Sequence, residues 1–323
     1  SIGSSIQGIR TGAAVFFPHI SGKQFHEFKF DFQTQQFVVS TVTKLVPDLF
    51  ETDKIVAMAF QYHPNSAFWL VTESGKLFSL TYRKEDDFYA WAIHSTSNGL
   101  FKDVAVLPKG DTVNSEDQLW VVVARNGENH LERMALQFTD DLSDNYKSDG
   151  AYLDSHVRNP ATGSLTTPVA LINVPARIIQ NGKVRVVVDG VDLGNISVTE
   201  GSNTLPNDVI ASQYTLIGVP YEGKLELNPV AFDNGSGKNS YGQITRTVSF
   251  QPYVYKSMGY KMGFSEDELE TIPPKGGASL YTGFTDEHNI IASQFDVDKT
   301  PIIVQDKPYP LTLVSAVLKT EML

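Results

Sequence analysis

The chain has 323 residues, 41 % hydrophobic and 20 % charged, with 24 glycines and 16 prolines; this is core-forming material for about two domains and fits neither a disordered nor a collagen-like chain. No apolar run approaches the ~20 residues of a membrane-crossing helix, and the absence of cysteine excludes disulfides and thiolate metal sites. With 37 acidic against 26 basic residues the formal charge is -11, which repels phosphate backbones, argues against tight nucleic-acid binding and suits a wall that DNA slides past.

The opening SIGSSIQGIR lacks the basic and apolar regions of a signal peptide. The first periodic segment, AAVFFPHISGKQFHEFKFDFQTQQFVVSTV, has the two-residue period of strands, broken by a turn at Gly22-Lys23. The same grammar then returns as KIVAMAFQ, SAFWLVTE, the turn Ser74-Gly75, KLFSLTYR, the charged turn KEDD and FYAWAIHS. Phe16, Gly22-Lys23 and Phe37 hold the positions taken 53 residues later by Trp69, Gly75-Lys76 and Ala90. In SAFWLVTE, Phe68, Leu70 and Thr72 share one face and Trp69 and Val71 the other. Both faces are apolar, as expected of a strand packed between neighbouring sheets. A third unit, FKDVAVLPKGDTVNSEDQLWVVVARNGENHLERMALQF, supplies a lead-in strand, a strand with Trp120, a turn at Asn126-Gly127 and a closing strand; Trp69 and Trp120 are 51 residues apart. A period near 50 built of about four strands predicts β-propeller-like blades. Three such units fall short of the roughly four to eight that usually close a ring, so further blades upstream of Ser1, or a neighbouring chain, are expected to cover the open edges.

After Phe138 the sequence turns polar (TDDLSDNYKSDGAYLDSHVRNPATGSLT) and reads as a connection. ARIIQNGKVRVVVDGVDLGNISVTEG follows, with hairpin signals at Asn181-Gly182 and Asp189-Gly190. The last third holds four or five longer strands with prolines expected at their ends. SEDELETI is expected to form one capped turn, with Ser265 as N-cap and Glu268 closing a capping box. The predicted fold class is all-β: incomplete β-propeller-like blades over 1–145, a linker and small β-module over 146–215, and a C-terminal β-domain over 216–323.

Candidate chemistry is sparse. The seven histidines, His19, His26, His63, His94, His130, His156 and His288, form no pair at ligand-like spacing, and HExxH is absent; His94, ending a blade strand, reads as a buried, hydrogen-bonded core histidine. Asp140, Asp141, Asp144 and Asp149 fail the spacing of a calcium loop and read as a solvated linker. Glu85, Asp86, Asp87 and Asp103 are turn or strand-edge acids that a glycoside hydrolase could pair, though such residues are common in any solvated hairpin. No GxSxG elbow appears, and GSGK at Gly235 to Lys238 lacks the flanking residues of a P-loop. The 19 Phe, 13 Tyr and 3 Trp read as core between blades, the alternative being an exposed stacking platform. No catalytic residue, cofactor or metal site is expected.

The phrases VAMAFQYHPNSAFWLVTESGKLFSLTYRKEDDFYAWAIHST, FKDVAVLPKGDTVNSEDQLWVVVAR and LERM, taken together, resemble the tail nozzle (tail tubular) proteins of short-tailed bacteriophages and prophages. The residues that carry the likeness are Trp69, Val71, Gly75, Leu77, Leu80, Thr81, Tyr82, Trp91 and His94, followed by Val104, Ala105, Val106, Pro108, Leu119, Trp120, Val122, Val123 and Arg125. It continues in VTKLVPDLFETDKIVAMAF, IGVPYEGKLELNP and PYPLTLVSAVLKTEM, and departs from the family at the start, where members carry a substantial N-terminal region. The resemblance implies a non-enzymatic virion component in the phage tail. It further implies a homo-hexameric ring below the portal and adaptor, bearing fibres or needles, through which DNA is retained and ejected. On that reading the matched Trp and His residues pack blades. The alternative is a carbohydrate- or receptor-binding propeller.

Overall fold

In the computed structural model the described residues are 6–83, 88–108, 116–135, 152–160, 170–205, 214–228, 244–277, 279–289 and 300–322. Among them there is no α-helix, only short 3₁₀ turns between antiparallel strands, so the protein is all-β. The chain divides into two compact units, Ser1–Asp141 and Leu142–Leu323.

The first unit holds three antiparallel sheets, each a meander of strands consecutive in the chain. Sheet I is β1 (Ile9–Thr11), β2 (Ala14–Pro18), β3 (Phe25–Asp31) and β4 (Gln36–Thr41). Two 3₁₀ turns, Val42–Leu45 and Pro47–Phe50, lead to sheet II: β5 (Ile55–Gln61), β6 (Ala67–Thr72), β7 (Leu77–Arg83) and β8 (Phe88–His94). Sheet III is β9 (Gly99–Leu107), β10 (Gln118–Arg125) and β11 (Glu128–Arg133). Phe16 and Trp69 both lie on the second strand of their sheet, as does Trp120, and Gly22 and Gly75 both turn the second strand into the third. The repeat read from sequence is therefore one of whole blade-like sheets. Its period survives because each unit places its large apolar residue at the same point of the same strand.

The second unit carries its own cores. β12 (Asp154–Pro160), β13 (Ala170–Val174), β14 (Lys183–Val188), β15 (Val191–Ser197), β16 (Gly201–Thr204) and β17 (Tyr214–Val219) form a four-stranded sheet ordered β12-β17-β14-β15 and the ribbon β13-β16. They enclose Leu171, Val186, Val188 and Ile217. Asn181-Gly182 and Asp189-Gly190 have positive φ throughout (51°, 72°, 47° and 80°), as two-residue hairpins demand. β17, which the segment boundary at 215/216 divides, lies wholly in this sheet.

β18 (Gly223–Glu226), β19 (Thr245–Ser257), β20 (Tyr260–Gly263), β21 (Glu270–Ile272), β22 (Tyr281–Phe284), β23 (His288–Asn289), β24 (Ile302–Gln305) and β25 (Leu313–Met322) complete the chain in sheets ordered β18-β24-β20-β21 and β22-β19-β23, with β25 also on β19. Two local expectations are corrected here. Pro252 sits inside β19 and opposite Ala316 of β25, not at a strand end. Its carbonyl accepts the Thr285 amide at 2.9 Å, so this edge of Pro252 faces the gap between β22 and β23, where a missing N–H breaks no ladder. Ser265 caps nothing with its side chain: Glu266–Glu268 is a 3₁₀ turn closed by the Glu268 amide on the Ser265 carbonyl at 3.2 Å, and one turn is too short to need a box.

Candidate functional site

The architecture of the first unit is a stack in which sheet II is covered on both faces. β6 is buried at all six positions. Phe68 and Leu70, with Phe78, Leu80 and Tyr82, pack against Ala14, Phe16 and Phe25 of sheet I; Phe16 stands 4.5 Å from Phe68 between ring centroids. On the other side Trp69, Val71 and Leu77 pack against Phe101, Leu119, Val121 and Val123 of sheet III. Trp91 closes the first of these cores, edge-on to Phe25 and Phe50.

Polar contacts fix the stacking register that apolar contacts leave loose. Tyr82 donates to Glu27 at 3.0 Å across the first junction, and Lys29 pairs with the same carboxylate at 2.9 Å. Burial, and then that carboxylate, push the Tyr82 phenol far above its ordinary range, so it stays a donor. Asp53, ahead of β5, accepts both the amide and the hydroxyl of Ser74. Burial works against its charge, but these bonds and Thr72 hold its carboxyl below the usual range. The turn glycines serve as docking points: the Gly22 carbonyl accepts the Ile55 amide and the Gly75 carbonyl accepts the Phe101 amide, each at 2.9 Å. A Cβ on Gly75 would lie 2.7 Å from the Cβ of Leu100, at the start of the next sheet.

Arg125 is the largest fully buried side chain in the protein's described residues, and it clamps the link between sheets II and III. Its guanidinium meets Glu132 bidentately (2.9 and 3.1 Å) and donates to the Ser97 carbonyl at 2.7 Å and the Thr96 hydroxyl at 2.5 Å. Five rigid donors in one plane match that set, and a lysine could not.

Beside sheet I runs an open groove of about 1150 Å³, formed by the β2–β3 loop, the end of β4 and the two 3₁₀ turns. His19, Ser40, Thr41, Thr43, Lys44 and Asp48 are among its walls. His19 Nδ1 accepts from the Ser21 amide at 3.1 Å and contacts its hydroxyl at 2.8 Å, which leaves the ring proton on Nε2 of the neutral form. His26 lies next to it, ring centroids 5.6 Å apart, with burial and then His19 lowering its pKa. The groove carries both charge signs and several hydroxyls, a lining suited to a polyhydroxylated ligand, and among the described residues no group of three metal-ligating side chains gathers there or elsewhere.

His94 is half-buried, its Nε2 2.8 Å from the Ser79 hydroxyl and its ring 5.0 Å from Trp69; burial lowers its pKa. Asp103 is on β9 and bonds the amide of Val104 at 2.8 Å, while its proposed partners Glu85, Asp86 and Asp87 lie outside the described residues. The same holds for Asp140, Asp141, Asp144, Asp149 and the stretch Gly235 to Lys238. Two features escaped sequence reading. The groove is assembled by loops whose residues have no periodicity to betray them. The Arg125 clamp joins partners 28 and 29 residues away, and Arg125 itself was visible only as part of a phrase.

No protein-family model and no curated protein matches the chain. Among solved structures it is matched to an exo-β-1,3-galactanase from Phanerochaete chrysosporium, determined with galactose, at 11 % identity over 96 % of each chain and a TM-score of 0.21, a superposition that supports no inference of fold or activity.

Proposed function

We propose that the chain is a structural subunit of the tail nozzle of a short-tailed phage, part of a hexameric ring below the portal and adaptor through which DNA is retained and ejected. The observation that carries this reading is where the residues of the resemblance fall: Trp69, Val71, Leu77, Leu119 and Val123 pack sheet on sheet, Gly75 docks one sheet on the next, and Arg125 clamps the link. A phrase selected for packing of this kind fits a scaffold. The charge of -11 agrees with a passage that offers DNA no phosphate anchors. Co-sedimentation with a purified portal–adaptor assembly tests the reading: the chain is expected in the pellet with the assembly, and its remaining in the supernatant at micromolar concentration overturns it.

The groove beside sheet I favours the second reading, a carbohydrate-binding role, because hydroxyls and both charge signs converge there. A glycan array decides it, with binding abolished by Thr41→Val and Lys44→Ala as the positive outcome.

A further inference from the structure

Two turns of the first unit share a sequence and a task. Ser21-Gly22-Lys23 leads β2 into β3, and Ser74-Gly75-Lys76 leads β6 into β7. Each is closed by its glycine amide, Gly22 on the His19 carbonyl at 2.8 Å and Gly75 on the Thr72 carbonyl at 2.9 Å. Each glycine carbonyl then accepts an amide of the following sheet, Ile55 or Phe101, at 2.9 Å.

The two turns differ in what holds the serine. Ser74 donates both its amide, at 3.0 Å, and its hydroxyl to the Asp53 carboxylate. Ser21 donates its amide to a histidine instead: His19 Nδ1 lies 3.1 Å from that nitrogen and 2.8 Å from the Ser21 hydroxyl. The same hydroxyl oxygen accepts the Lys23 amide at 3.3 Å. Nδ1 stands where the side-chain oxygen of an asparagine would stand, so the ring imitates an Asx turn for as long as Nδ1 keeps a free lone pair.

An imidazolium carries N–H on both ring nitrogens. The Ser21 hydroxyl can rotate and accept from it, but the Ser21 amide cannot reverse and would face another donor. Asp53 escapes this change: burial opposes its charge, yet the hydroxyls of Ser74 and Thr72 hold its carboxyl below the usual range, so Ser74 keeps its acceptor in mild acid. Gly22 has little room to adjust, with φ of 72° and a Cβ position only 2.9 Å from the Cβ of Lys54. A turn that loses the Ser21 amide bond therefore moves at the residue whose carbonyl holds Ile55.

The charged and titratable groups around His19 are His26 on β3, with ring centroids 5.6 Å apart, Lys23 in the turn itself, and Lys44, Asp48 and Glu51 in the two 3₁₀ turns across the groove. His26 is the other histidine, the residue type that changes charge between about pH 5 and pH 8. Burial, and then His19, lowers its pKa, and its Nδ1 lies 3.3 Å from the Thr41 hydroxyl, away from the bonds of the turn.

We infer that Ser21-Gly22-Lys23 is an acid-released latch: a proton taken up by His19 expels the Ser21 amide from Nδ1 and loosens the hold of Gly22 on Ile55, while the matching latch at Gly75 stays closed. Sheet I remains on sheet II through Phe16, Phe25 and Phe68, so the release is local. The same turn is one wall of the groove, and that wall moves with the latch. The inference rests on neither reading of function.

The test is an NMR titration of the full chain from about pH 7.5 to about pH 5, following the amides of Ser21, Ile55, Ser74 and Phe101 together with the ring protons of His19 and His26. The Ser21 and Ile55 amide protons should move upfield as their hydrogen bonds lengthen, with the midpoint of the His19 ring, while those of Ser74 and Phe101 hold their positions. His19→Asn, which places a non-titrating oxygen where Nδ1 stood, should abolish the movement at Ile55. Ser21 and Ile55 resonances that stay in place across the range overturn the inference. So does an equal movement at Phe101, or a movement at Ile55 that persists in His19→Asn and follows the His26 ring.

Discussion

Gly75→Ala against Gly127→Ala measures the docking of one sheet on the next. Both glycines have left-handed φ, 88° and 84°, so alanine carries a similar conformational cost at each, roughly 1–2 kcal/mol. At Gly127 nothing is added, because no described atom lies within 4 Å of the new methyl. At Gly75 the methyl would sit 2.7 Å from the Cβ and 3.1 Å from the Cα of Leu100. A backbone atom cannot be moved aside without shifting β9, an overpacking cost of roughly 1–3 kcal/mol. The shift also stretches the 2.9 Å bond from the Phe101 amide to the Gly75 carbonyl, worth roughly 1 kcal/mol. Gly75→Ala should therefore destabilise the first unit by roughly 4 kcal/mol and Gly127→Ala by roughly 1 kcal/mol. All three tryptophans, Trp69, Trp91 and Trp120, lie in the first unit, so urea unfolding followed by tryptophan emission, excited where tyrosine does not absorb, reports on that unit. Hydrogen exchange at the Phe101 amide supplies the local readout, with faster exchange in Gly75→Ala. Equal destabilisation by the two substitutions, or an unchanged Phe101 amide, would refute docking by the turn.

Other perturbations separate the remaining contributions. Arg125→Met should cost about 3–5 kcal/mol in the same fluorescence assay, because it removes the bidentate partner of the Glu132 carboxylate, only 16 % exposed, and adding Glu132→Gln should recover part of it. Leu70→Ala, at a fully buried site, should cost about 2–5 kcal/mol, while Ile20→Ser, 59 % exposed, should stay within about 0.5 kcal/mol. The pH dependence has a definite sign. His94 and His26 are both lowered from 6.5, so as pH falls below that value the unfolded chain takes up protons that the folded one refuses. The stability they contribute is whole above about pH 6.5 and lost below it, at up to about 1.4 kcal/mol per pH unit for each group. His94→Gln, which keeps a partner for Ser79, should flatten the fall in melting temperature between about pH 7 and pH 5.

The strands of the first unit were legible because their signal is local. Period-two alternation in β6, with both faces apolar, announced a sheet covered on both sides, and burial of all six residues agrees. The recurrence of Phe16, Trp69 and Trp120 announced the repeat because each stands on the second strand of its sheet. What was not legible depends on partners distant in the chain. Pro252 reads as a strand end until the break between β22 and β23 is seen to accommodate it. Ser265 and Glu268 spell a capping box, yet only a single 3₁₀ turn forms there before β21 begins at Glu270. The groove draws its lining from the β2–β3 loop, the end of β4 and the two turns after it, which meet at one end of sheet I and whose polar residues look like any solvated turn. His94 carried a clear expectation because a histidine closing an apolar strand has few places to go, and its hydroxyl partner Ser79 lies on the neighbouring strand.

The nozzle reading is tested most directly by electron microscopy of the chain bound to a portal–adaptor assembly from a short-tailed phage. The account expects a ring of added density with six-fold symmetry on the adaptor's distal end, coaxial with an open DNA passage. Assemblies with no added density, at chain concentrations that saturate any micromolar site, would contradict it.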